Sequence, residues 1–294
     1  MKNYLKDYFK MISKKPHNKK LIKESYENFP LWSSVYLRNL MPDLASVYHF
    51  CRTVDDLSDL NKDIALEELG KIEELLDDCY KSKLDKKSIF FNLSLTINKF
   101  NLPKEDFKKI IQSNFQDLFK NRYNDFDELI NYCKLSANPV GRMVLKIFGE
   151  FNTANSELSD KICTGLQLIN FIQDINRDSK FGRIYMPLDE LKKFGAKEED
   201  IFNEKLTEEL IRMIKFQCER SKDIINSGKK LVSNLSGSKK IPISLFVQSG
   251  NLVLKKIEKN NYNTVVKRPF ITKLDKSLLI SKTLTRYLLN KKLI

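Results

Sequence analysis

Apolar residues recur in this chain at intervals of three and four and seldom alternate, a pattern that suits helices and leaves strands little to build on. From Pro42 onward, Leu44, Val47, Tyr48, Cys51 and Val54 keep that spacing. Within Asp63 to Cys79 the expected buried stripe is Ile64, Leu66, Leu69, Ile72, Leu75 and Leu76. Pro103-Lys104-Glu105-Asp106 and Pro187-Leu188-Asp189-Glu190 read as helix starts, with proline in the first turn and acids near the positive dipole end. Only 9 Gly and 8 Pro punctuate 294 residues, too few for the turns a strand-rich fold needs. One all-α domain over residues 1–294 is predicted, with 1–20 as a basic and flexible N-terminal segment.

Composition closes off several function classes. Two histidines, His17 and His49, exclude a His-rich metal centre. Five cysteines without a CxxC spacing argue against zinc or a disulfide framework and for a reducing compartment. A formal charge of +14 suits nucleic acid, anionic lipid headgroups or a polyanionic substrate. The lysines are spread along the chain rather than gathered in one arm, which counts against nucleic acid. No apolar run approaches the roughly 18 to 20 residues that span a bilayer. The residues from Met1 to Lys20 lack the apolar core of a signal peptide. A cytoplasmic protein is expected, with peripheral contact at an anionic inner membrane face left open and no nucleic acid partner.

Two acidic pairs share one spacing. Asp55 and Asp59 lie in Tyr48-His49-Phe50-Cys51-Arg52-Thr53-Val54-Asp55-Asp56-Leu57-Ser58-Asp59, and Asp174 and Asp178 close a stretch that opens at Gln167. Residues four apart sit one turn up a helix face, where like charges destabilise an isolated helix. A shared divalent cation resolves the conflict. From Asp160 to Asp178, read as one long helix ended near Gly182, Leu168, Phe171, Ile172 and Ile175 form an apolar stripe. Gln167, Asn170, Asp174 and Asp178 line the other side. Carboxylates and amides are oxygen ligands suited to Mg²⁺. Two such faces opposed across a cavity would clamp a diphosphate through metal.

These residues resemble a family. Tyr-x-Phe-Cys-Arg-x-x-Asp-Asp-x-x-Asp, Gln-Leu-x-Asn-x-x-x-Asp-x-x-x-Asp and Gly182-Arg183-Ile184-Tyr185-Met186-Pro187 look like the squalene/phytoene synthases, from about Tyr26 to Arg268. The resemblance implies the all-α isoprenoid synthase fold, with helices around a central cavity. It also implies Mg²⁺-diphosphate binding by Asp55, Asp59, Asp174 and Asp178, assisted by Asn170 and Gln167. Arg52, Arg183, Tyr48 and Tyr185 would attend the substrate.

Within the family, Tyr26-Glu27-Asn28-Phe29-Pro30, Ser136-Ala137-Asn138-Pro139-Val140-Gly141-Arg142 and Gln173 look like bacterial hydroxysqualene synthases of the hopanoid route. Those enzymes ionise presqualene diphosphate and let water capture the rearranged cation. Ala137, Val140, Gly141 and Val144 are the small residues expected to make room for an apolar C30 chain. Asn138, beside a helix kink expected at Pro139, is the candidate for positioning the water. No GxGxxG motif follows a strand, so no NADPH is expected. The nearest alternative is condensation of farnesyl diphosphate or a like allylic diphosphate by a phytoene, dehydrosqualene, squalene or presqualene diphosphate synthase. A basic nucleic-acid- or membrane-binding protein would leave both acidic motifs unexplained.

Overall fold

The computed structural model describes residues 37–58 and 60–294, and every regular element among them is helical. In chain order these are α1 (Met41–Ser58), α2 (Lys62–Tyr80), α3 (Phe91–Phe100), α4 (Lys104–Asp117), α5 (Phe126–Ser136), α6 (Asn138–Phe148) and α7 (Thr153–Gln173). They continue with α8 (Ile175–Ser179), α9 (Leu188–Phe194), α10 (Glu198–Phe202), α11 (Glu208–Ser227), α12 (Lys230–Asn234), α13 (Lys240–Lys259) and α14 (Lys273–Leu288). Two compact units emerge. The first holds the described chain up to Leu118 together with Arg142–Phe151; the second holds Phe119–Gly141 and Asn152–Ile294.

The first unit is built on α1. Its buried Leu44, Val47, Phe50, Val54 and Leu57 face α2, α3 and α4. Phe50 packs against Phe90 at 5.3 Å and edge-on to Phe107 at 5.0 Å, which fixes the rotation of the helix. On α2 the buried stripe is Ala65, Leu69, Ile72, Leu76 and Cys79. This corrects the expected stripe: Ile64 is exposed and Leu66 and Leu75 are only half-buried. Reading Ala and Cys as core residues narrows the apolar face about the same direction, because positions 65, 69, 72, 76 and 79 fall within roughly a quarter of a turn.

In the second unit α7 crosses α11 at very short range. A Cβ on Gly165 would lie 2.6 Å from Ile225 Cβ and 2.8 Å from its backbone N and Cα. Gly228 is similarly close to Leu158 O, at 2.7 Å. Asn152 caps α7 by accepting from the Asn155 N–H, so the helix starts at Thr153, ahead of the predicted Asp160.

Two predicted helix features differ. The irregularity expected at Pro139 falls two residues earlier, as a one-residue interruption at Ala137 (φ −109, ψ −47) whose N–H still donates to Cys133 O, and Pro139 occupies the first turn of α6. There its missing N–H costs nothing. The helix read as continuous to Asp178 stops at Gln173, and Asp174 (φ −103, ψ 12) links it to α8. Tertiary bonds hold this joint. Gln173 Nε2 donates to Pro269 O at 2.5 Å, and Asn176 Nδ2 donates to Val265 O at 2.7 Å. Among the described residues no helix is long and apolar enough to cross a membrane.

Candidate active site

In the first unit, α1 turns its core face inward and so carries Tyr48, Arg52 and Asp55 on other sides; Arg52 is open to solvent, Tyr48 is half-buried, and Asp55 keeps an edge in solvent while its carboxyl is closely surrounded by protein. The Arg52 guanidinium pairs with Asp56 at 2.6 Å, one turn along the helix. Asn114 on α4 is buried, and its Nδ2 donates to Asp55 Oδ1 at 3.4 Å and to Ile110 O at 3.0 Å. The Asp55 carboxyl is pushed up to about 6, chiefly by desolvation, with Asp56 and Asp117 adding to the rise. The Asn114 amide and Arg52 hold it down in part. A carboxylate that keeps contact with water yet is strained by its own charge is suited to receive a cation. Asp59 and the Tyr26–Pro30 motif lie outside the described residues.

The sign of the Asp55 shift gives a test. Its folded value lies above the ordinary carboxylate value of 3.8, so ionisation at neutral pH disfavours the fold. Asp55→Asn is expected to melt no lower than the parent at pH 7. The margin between the two should narrow as the pH falls from about 6 towards 4, where the folded parent takes up its proton first. Paired thermal melts across that range check it.

In the second unit, the joint between α7 and α8 presents the other acidic pair. Asp174 binds Arg268 through both carboxylate oxygens. Its carbonyl accepts from the N–H groups of Arg177 and Asp178, both at 2.8 Å. Asp178 is therefore still one hydrogen-bonded turn beyond Asp174 despite the helix break. Asn170, one turn before, is exposed and Gln167 half-buried. The four oxygen-bearing side chains thus follow one another at single-turn steps.

The segment after α8 is clamped in place. Gly182 takes φ +73, a left-handed turn that favours glycine, and Arg183 N–H donates back to Asp178 O at 3.0 Å. Arg122 holds this turn by donating to Gly182 O at 2.6 Å and pairs with Glu198 at 2.8 Å. Arg183 rests 5.9 Å from the Phe181 ring. Tyr185 is buried, stacked on Phe171 at 4.0 Å and 11° and near Tyr123 and Tyr132. Its ring is thus part of an aromatic stack that fixes the Arg183 turn.

The helix break at Ala137 gives Asn138 a structural partner: its Oδ1 accepts from Thr164 Oγ1 at 2.9 Å, and it is 4% exposed. Gly141 approaches α7, where an added Cβ would lie 2.4 Å from Ser159 Oγ and 2.5 Å from Cys163 Sγ. Ala137 and Val140 are half-buried and Val144 is buried. None of the five cysteines is joined in a disulfide. Burial pushes Cys79, Cys133 and Cys218 up to about 12 and Cys51 higher still, so none of these four is a ready nucleophile.

Sequence reasoning missed Asn114, Arg122 and Arg268. Asn114 had a signal, since it continues the apolar register of Phe107, Ile110 and Ile111 as an amide. Arg122 and Arg268 had none, because their contacts are set by chain segments 60 and 94 residues away.

Comparison with known proteins matches the squalene/phytoene synthase family signature to residues 22–275. The chain belongs to the squalene/phytoene synthase family. Within it, phytoene synthase 2 of Solanum lycopersicum is 29% identical over 94% of this chain and 95% of that protein. Phytoene synthase 2 of Oryza sativa is 32% identical over 79% of this chain, which spans only 60% of the rice protein. Among solved structures, squalene synthase HpnC from Alicyclobacillus acidocaldarius is 34% identical, with 92% of this chain and 98% of that one covered and a TM-score of 0.76. A ligand-bound dehydrosqualene synthase at 19% identity shares the fold, with a TM-score of 0.78. The all-α isoprenoid synthase fold expected of the family is therefore observed.

The side chains present fit Mg²⁺. Among the described residues no three Asp, Glu, His or Cys side chains gather into a ready-made metal site. Mg²⁺ does not need one: it is usually held by one or two carboxylates, waters and substrate phosphates. Asp55 in one unit, and Asp174 and Asp178 with Asn170 in the other, are donors of that kind.

Proposed function

We propose that this protein is a hydroxysqualene synthase, converting presqualene diphosphate and water to hydroxysqualene and diphosphate. The observation that carries this reading is the 34% identity to a solved squalene synthase over 92% of the chain. The Asn138-Pro139 and Gln173 substitutions seen in the sequence agree with it. The plant phytoene synthases at 29–32% identity support the second reading, head-to-head condensation of two allylic diphosphates.

In this reading Asp55, Asp59, Asp174 and Asp178, with Asn170 and Gln167, hold Mg²⁺ together with the substrate diphosphate. When bound, Mg²⁺ supplies Lewis-acid stabilisation of the negative charge that develops on the leaving diphosphate. Asn114 orients the Asp55 carboxylate from behind. Arg268 neutralises Asp174 in the unliganded protein and turns to diphosphate oxygens when substrate arrives, since a guanidinium serves carboxylate and phosphate equally well. Arg52 and Arg183 supply further positive charge to the same group. No reductant enters: the carbon–oxygen bond to diphosphate breaks, water oxygen bonds to the cation, and one proton is released.

Two outcomes follow. With presqualene diphosphate in heavy-oxygen water, the product should carry one labelled hydroxyl, read by mass spectrometry. A hydrocarbon without oxygen would refute the water-capture reading. Arg268→Gln should raise KM by about tenfold or more, the loss expected of one charge-assisted contact, with a smaller effect on kcat. An unchanged KM would remove Arg268 from substrate binding.

A further inference from the structure

Among the described residues, the last helix, α14, is fastened by one face. Thr283 is fully buried, and Gln248 Nε2 on α13 donates to its Oγ1 at 2.9 Å. Lys256 of α13 pairs with Asp275 at 2.7 Å, beside a capping box formed by Thr272 and Asp275. Opposite Thr283, the residues Leu274, Leu278, Ser281, Thr285 and Leu288 step by four, three, four and three along a single outward stripe.

That stripe is the position at which a solvated helix carries lysine and glutamate. Here it carries no charge and three of its five positions are bare leucines, Leu274 69% exposed, Leu278 60% and Leu288 68%, while the Ser281 and Thr285 hydroxyls are turned back onto helix carbonyls; Leu289, just past the helix end, is 58% exposed. Phe270, just ahead of the helix, is 58% exposed and extends the same apolar surface. Charges flank the leucines. From Lys273 to Ile294 the chain has six basic residues (Lys273, Lys276, Lys282, Arg286, Lys291 and Lys292) and one acidic residue, Asp275. Asp275 is already paired with Lys256, so it offsets little of that charge.

We propose that the outward face of α14 docks the protein onto an anionic phospholipid bilayer. The helix would lie in the plane of the interface, with its leucines among the acyl chains and its flanking lysines at headgroup phosphates. Charge decides between the two apolar occupants that would fit. A second copy of this chain would bring its own lysines against these, whereas an anionic bilayer complements them. The inference does not rest on which prenyl diphosphate the enzyme uses.

Flotation of the full chain with extruded vesicles tests it. The protein should float with phosphatidylglycerol/phosphatidylcholine vesicles, stay behind with phosphatidylcholine alone, and be released by added salt. Leu278→Asp/Leu288→Asp should weaken partitioning by about a hundredfold, roughly tenfold for each leucine. Lys282→Glu/Lys291→Glu/Lys292→Glu should weaken it by a similar factor, about a hundredfold or more. Both variants should melt with the parent and keep its turnover on detergent-dispersed substrate. Flotation of either folded variant like the parent would overturn the proposal. So would a lipid-independent dimer that the leucine variant dissolves while the parent ignores anionic vesicles.

Discussion

Asp55→Ala and Asp174→Ala should each lower kcat/KM on a prenyl diphosphate by about a thousandfold or more, equivalent to roughly 4 kcal/mol of lost transition-state stabilisation. The size follows from the proposed role. Each carboxylate helps to hold the cation that takes up charge on departing diphosphate, and Asp56, the neighbour of Asp55 in sequence, is already paired with Arg52. Folding should survive both changes. Asp174 loses an ion pair whose arginine is 45% exposed, and such pairs contribute at most about 1 kcal/mol. Asp55 is held ionised against the preference of its surroundings, so its removal relieves rather than strains the fold. Steady-state assays with circular dichroism melts on the same preparations check both halves. Retained Mg²⁺-dependent turnover in either variant would remove that residue from the assignment.

Gly165→Ala should cost about 3 kcal/mol, the upper part of the usual range for overpacking. For a unit of this size the melting temperature should fall by roughly 6–12 °C. The magnitude is high because the obstacle is backbone: Ile225 N and Cα stand 2.8 Å from the new methyl, and a helix axis must move to admit it. Gly70→Ala is the control. It lies mid-helix on α2 with nothing within 4 Å, so alanine should stabilise by about 0.5–1 kcal/mol. Equal effects from the two substitutions would mean that the α7–α11 crossing is not the tight contact described.

Much of this was legible from sequence because it depends on local periodicity. The start of α1 near Pro42 and the Pro103 and Pro187 starts follow from caps and three–four spacing, and they stand where expected. What sequence could not show is where tertiary bonds override that spacing. The stretch Phe171-Ile172-Gln173-Asp174-Ile175 has no helix breaker, yet the helix stops there. Gln173, Asp174 and Asn176 each bind the segment from Val265 to Pro269. At Asn138-Pro139 the signal was present but its meaning was misjudged, since a proline that reads as a kink in a continuing helix is comfortable as the first turn of a new one.

Asn138 and Gln173, singled out in the sequence, have structural partners that periodicity does not show, Thr164 and Pro269.

Parallel incubation of the purified protein with Mg²⁺ and either presqualene diphosphate or farnesyl diphosphate alone tests the proposed reaction most directly. The account predicts that presqualene diphosphate is consumed to hydroxysqualene with one diphosphate released per turnover, and that farnesyl diphosphate alone yields no coupled product. Condensation of farnesyl diphosphate, with presqualene diphosphate accumulating or left untouched, would contradict it.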